Sequence, residues 1–127
     1  GKNIFQKNIA RIKNVDKNVQ KTMDDMSLVL KEGQILAFST KTKGHTGVIS
    51  RKNGKWTFIN SGNMDHNIAG KNGVKAVGEE TLKEEIHNWF KLAKKKGEGL
   101  QITLGTIDPY RLAFFLPDNH GAMSKKA

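Results

Sequence analysis

The chain has 127 residues, with 22 Lys and Arg against 12 Asp and Glu, for a net charge of +10. That length suits a single domain with one core, and a hydrophobic content of 36% is low but compatible with folding. The absence of cysteine excludes disulfides and thiolate metal sites within these residues, and no apolar run approaches the roughly 18 residues of a membrane-spanning helix.

The charge favours anionic partners: nucleic acid, phosphorylated polymers of a cell wall, or an acidic membrane surface. The lysines are spread along the chain, and no helix-turn-helix, zinc-finger or RRM aromatic motif is visible. A solvated lysine-rich surface is therefore the plainer reading. The N-terminus has no charged-then-apolar signal peptide, which leaves open a leader removed before residue 1.

Residues 2–31 contain neither Gly nor Pro. Phe5, Ile9, Ile12, Val15, Val19, Met23, Met26 and Leu30 recur at intervals of three or four, the apolar stripe of a helix. One long helix or two in succession is expected, with Asp16 or Asp24-Asp25 as breaks and Gly33 as the stop. The stripe is narrow and Asn3, Asn8, Asn14 and Asn18 weaken helix propensity, so packing on a sheet is favoured over lying on a membrane. Residues 34–40 then read as an apolar strand.

Two β-rich runs, 45–51 and 55–61, flank Lys52-Asn53-Gly54, and Asn-Gly between such runs is the strongest short hairpin signal. With Asn53-Gly54 at the centre of the turn, Arg51 faces Trp56, Ile49 faces Phe58 and Gly47 faces Asn60. Alternation then puts His45, Gly47, Ile49, Trp56, Phe58 and Asn60 on one face. His45 and Asn60 become diagonal neighbours, roughly 7–8 Å apart at the backbone, with Gly47 leaving the gap between them open. An imidazole beside a carboxamide is the orienting half of a Cys-His-Asn hydrolase site. Lys41, Lys43, Arg51, Lys52 and Lys55 would give it a basic rim.

Residues 61–78 hold Gly62, Gly70, Gly73, Gly78 and several Asn, and read as a long loop with a short strand near 74–77. Asp65 and His66 lie in it without a spaced partner, so no metal site is expected. Thr81 to Glu84 is a capping box that opens a helix with Leu82, Ile86, Trp89, Phe90 and Ala93 on one face. Lys94, Lys95 and Lys96 suit its last turn and Gly97 closes it. Leu100, Ile102 and Leu104 alternate with polar residues, as in a strand. Residues 110–116 suit either a strand or a short helix. The fold class expected is α+β: an N-terminal helical segment packed on a mainly antiparallel sheet carrying the His/Asn hairpin. One domain covers 1–117, with a flexible tail over 118–127.

Three pieces in order, Leu30 to Phe38 (LKEGQILAF), Gly44 to Ile49 (GHTGVI) and Trp56 to Asn60 (WTFIN), resemble the second half of an NlpC-type or CHAP-type papain-fold hydrolase. The resemblance implies a papain-like core with His45 as base and Asn60 as its orienter, and no cofactor. It also implies a bacterial, secreted or periplasmic setting, and an amide substrate in a cell-wall peptide or a protein target. Lys43, Arg51 and Trp56 are the candidate substrate contacts. Two departures stand out. Glu32 and Gln34 occupy places where Pro and Asp are usual, and the family's cysteine has no counterpart; by spacing it would fall at or before Gly1. Ser39 and Ser50 are the nearby hydroxyls, and neither sits at an expected helix N-terminus. These residues are therefore expected to be a fragment, a mutated form or an inactive form, without turnover alone. The alternative is a non-enzymatic basic domain that binds an anionic partner.

Overall fold

A computed structural model describes residues 2–62 and 76–106. Asp65, His66, the undecided segment 110–116 and the expected tail lie outside the described residues. The elements in chain order are β1 (Lys2–Ile9), α1 (Val15–Ser27), β2 (Ile35–Ser39), β3 (Gly44–Lys52), β4 (Lys55–Gly62), β5 (Ala76–Thr81), α2 (Leu82–Lys96) and β6 (Leu100–Thr106). The fold is α+β, with a six-stranded sheet in the order β1-β6-β2-β3-β4-β5. Every neighbouring pair is antiparallel.

The helical reading of the N-terminus is half right. Residues 2–9 form an edge strand on β6, with Phe5 opposite Leu104 and Ile9 opposite Leu100. Phe5 and Ile9 are four apart, a spacing that fits a helical turn and two strand repeats equally well, so periodicity alone could not separate them. The helix begins later, where the Asn14 side chain accepts a hydrogen bond from Lys17 N at 3.0 Å. It ends at Ser27, not at Gly33. Gly33 instead sits in a turn with φ of 91°, where a side chain would be strained.

Between α1 and β2 the chain is fastened by Gln34. Its side chain accepts from Lys31 N at 2.8 Å and donates to Val29 O at 2.9 Å. Its backbone carbonyl accepts from Ile49 N at 2.8 Å, holding the start of β2 against β3. The amide thus supplies local turn bonds at the position where the resemblance led us to expect Asp.

Register explains where the core lies. Leu36 is opposite Leu104, Phe38 opposite Ile102, and Ile49 opposite Phe58. These residues form one sheet face and join Val19 and Met26 of α1 and Leu82, Ile86, Trp89, Phe90 and Ala93 of α2 in a single core. Lys7 of β1 reaches α1 through a 3.0 Å bond to Asp25, which holds the edge strand beside the helix.

The hairpin follows its local chemistry. Asn53 (φ 54°) and Gly54 (φ 76°) both adopt the left-handed region, as a type I′ turn requires. Lys52 faces Lys55 and Arg51 faces Trp56. α2 likewise starts at the Thr81 cap, whose hydroxyl accepts from Glu84 N at 3.3 Å. It closes at left-handed Gly97.

Candidate functional site

His45 lies opposite Phe38 in the β2–β3 ladder, which puts its ring on the helix-covered face. There the imidazole meets the Phe58 ring edge-on at 6.0 Å and lies nearly parallel to Trp89 of α2 at 6.4 Å. Trp89 also stacks on Phe38, centroids 5.3 Å apart and planes 5° from parallel. Trp89 is itself buried.

His45 Nε2 lies 2.8 Å from Asn60 Oδ1. Asn60 is 5% exposed, and its Nδ2 donates to Glu80 Oε1 at 2.6 Å. The carboxamide nitrogen is thus committed to a carboxylate, and its oxygen must accept from His45. In the neutral imidazole this fixes the proton on Nε2 and leaves the Nδ1 lone pair as the proton acceptor.

The gap beside His45 is not open. A Cβ on Gly47 would sit 2.4 Å from Phe58 Cζ and 2.6 Å from the Ile59 carbonyl oxygen. Glycine here admits the Phe58 ring across β3, and that ring supports the imidazole. The expectation of an empty space next to Gly47 is corrected accordingly.

Behind Asn60 the network continues into two acids. Glu80 on β5 is opposite Phe58, so it points to the core face, whereas Glu79 turns to the other face and takes a 2.5 Å bond from Thr57. Glu85 on α2 is fully buried. Burial pushes its carboxyl up to about 8, and the Glu80 carboxyl beside it adds to the shift. A side-chain bond shared with Glu80 raises it further and one from Asn88 lowers it, so near neutral pH Glu85 holds a proton that it can donate to Glu80. The result is a row of imidazole, carboxamide, carboxylate and carboxylic acid.

Glu80 and Glu85 were absent from the sequence reading. Glu85 left a signal: it follows Leu82 by three and precedes Trp89 by four, a core position of the helix stripe. Glu80 left none, because its partner lies across a strand pair joined through residues 63–75.

The expected substrate contacts separate. Lys43 borders a groove of ≈ 870 Å³ with Val15, Trp89 and Leu92. The Arg51 guanidinium lies 4.4 Å over the Trp56 ring, and Trp56 borders a second groove with Met23 and His87. Arg51 is six residues along β3 from His45, about 20 Å at strand rise, so the expected single basic rim is divided between two sites. His87 pairs with Asp16 at 3.4 Å.

Among the described residues no cluster of three or more His, Asp or Glu side chains could hold a metal ion. No described helix is long and apolar enough to cross a membrane. No family model, curated protein or solved structure matches the chain.

Proposed function

We propose that His45, Asn60 and Glu80 are the base half of a papain-like amide hydrolase site of the NlpC type, whose thiol does not come from these 127 residues. The observation that carries it is the hydrogen-bonded row from His45 through Asn60 to Glu80. A 2.8 Å bond to Asn60 and a 2.6 Å bond onward to Glu80 orient the ring so that Nδ1, without a hydrogen-bond partner among the described residues, is the nitrogen that can accept a proton.

In this reading Nδ1 takes the proton of a thiol, and the thiolate adds to the carbonyl carbon of the substrate amide. The tetrahedral intermediate expels the amine, which takes the proton back from Nδ1. Water then cleaves the thioester with the same nitrogen as base. Asn60 holds the ring through both steps, and Glu80 holds Asn60. Without a thiol the chain binds but does not turn over. An amide of a cell-wall peptide or of a protein target is the substrate class that the resemblance implies.

A thiol can be supplied by substitution in the first turn of α1, which shares a groove with Trp89, the ring stacked on His45. Val15 borders the same groove as Trp89 and Lys43, two residues before His45, and a helix N-terminus favours a thiolate. The test supplies the missing group as Asn14→Cys, Val15→Cys and Asp16→Cys, one at a time. At pH 6, at least one variant is expected to be alkylated by iodoacetamide about tenfold faster than a free cysteine. Adding His45→Ala removes that excess. If all three react like free cysteine and are indifferent to His45→Ala, the hydrolase reading fails.

A further inference from the structure

The two large grooves differ in charge. The groove at the hairpin is bordered by Asp16 and Glu84 as well as Lys17, Lys55 and Lys83, so its signs are mixed. The groove beside Trp89 is bordered by Lys43, Lys91, Lys94 and Lys95 and by no acid among the described residues. Its apolar part is Val15, Trp89 and Leu92.

The lysine rim is built into the fold. Lys91, Lys94 and Lys95 are three and four apart on α2, so one helix face presents them together. Lys43 comes from the turn before β3, and that turn is anchored. Thr40 N donates to Lys43 O at 2.8 Å, and Lys43 N donates to Thr40 Oγ1 at 3.0 Å. Lys96 Nζ donates to Thr42 Oγ1 at 3.0 Å, and the Thr42 hydroxyl donates to Glu98 at 3.0 Å. These bonds tie the turn to the end of α2 and hold Lys43 opposite the other three cations. None of the four is in an ion pair among the described residues.

We infer that this groove binds an acidic polypeptide segment, with an apolar side chain over Leu92 and Val15 and flanking carboxylates on the four lysines. Charge complementarity and an apolar floor select that occupant. Single-stranded nucleic acid needs open aromatic faces for its bases, and Trp89 is buried and stacked on Phe38 and His45. A lipid surface needs exposed apolar anchors. Among the described residues the large exposed apolar ones, Leu28 and Val77, border neither large groove. Its volume is within the usual range for small ligands and short peptide segments. The inference does not depend on the hydrolase reading, because His45 does not line the groove.

The experiment uses fluorescence anisotropy with a labelled peptide of alternating Glu and Leu. Its controls are the same peptide with Gln for Glu, a labelled oligodeoxythymidine, and phosphatidylglycerol vesicles. The Glu peptide is expected to bind at least tenfold tighter than the Gln peptide and to weaken with added salt. Lys91→Glu with Lys95→Glu is expected to weaken it tenfold or more. Lys52→Glu with Lys55→Glu changes the net charge equally at the hairpin and is expected to leave binding within twofold. Absence of peptide binding overturns the inference. So does equal weakening by the two double variants, or binding of the oligonucleotide or vesicles as tight as that of the Glu peptide.

Discussion

The side-chain nitrogen of Asn60 lies 2.6 Å from Glu80 Oε1, and this contact determines which end of the carboxamide faces His45. A carboxamide can accept or donate depending on how it is turned. A carboxylate behind it permits one orientation only, so β5 sets the proton position on a ring carried by β3.

That relationship is directly measurable. The nitrogen chemical shifts of the His45 ring are expected to report protonation at Nε2 in the neutral form. In Glu80→Gln the new amide can donate or accept, Asn60 is free to turn, and the shifts are expected to move towards a mixture of tautomers. A neutral His45 protonated on Nδ1 in the parent protein rules out the proposed orientation.

The buried acid gives a second expectation. Glu85 has an ordinary value of 4.5 and is held up to about 8 in the fold, chiefly by burial and then by Glu80. A raised folded value stabilises fully below the unfolded one and loses that contribution as pH climbs through the folded one. Between pH 4.5 and about 8 the folded chain keeps a proton that the unfolded chain has released. Stability therefore falls with rising pH across that window, by at most about 1.4 kcal/mol per pH unit for one proton. Glu85→Gln removes the titration while keeping a donor for Glu80. The difference in unfolding free energy between parent and variant is expected to favour the variant increasingly from pH 5 to 8. Parallel urea curves at every pH would contradict a protonated Glu85.

How much of this was legible in the sequence depended on how local each signal was. The Asn53-Gly54 turn was readable because the two residues meet its φ requirement themselves, and the turn then fixes Arg51 opposite Trp56. The Thr81 cap and the Gly97 stop were readable for the same reason. β1 was not, since Phe5 and Ile9 satisfy two periods and the deciding partner, β6, lies at the other end of the described chain. Pairing with β6 outweighs local propensity there. Glu80 was hidden by the same distance in sequence, whereas Glu85 stood in plain view on an apolar helix face.

The cap on α2 offers a test of local energetics alone. Thr81→Ala removes the acceptor for Glu84 N and is expected to cost about 0.5–2 kcal/mol, read as a lower denaturation midpoint. Thr81→Asn, which restores a side-chain acceptor, is expected to recover most of it. Failure of Asn to rescue would assign the loss to packing of the threonine methyl group instead.

Gly47 carries the last prediction, because it links hairpin packing to the site. Its missing side chain lets the fully buried Phe58 ring cross β3, and the same ring meets His45 edge-on at 6.0 Å. In Gly47→Ala the new methyl group would meet the ring at 2.4 Å and the Ile59 carbonyl at 2.6 Å. The carbonyl belongs to a paired strand, and the ring is enclosed by Phe38, 5.7 Å away, and the rest of the core. Neither can yield cheaply. Overpacking of this kind costs about 1–3 kcal/mol, and the expected reading is a lower denaturation midpoint with an unchanged urea slope. Gly47→Ala with Phe58→Leu relieves the ring contact but not the carbonyl one, so it is expected to restore only part of that loss relative to Phe58→Leu alone. The His45 ring signals are expected to shift in the single variant, since the ring that supports the imidazole must move. A Gly47→Ala protein as stable as the parent, with His45 unshifted, would show that Phe58 does not need this space.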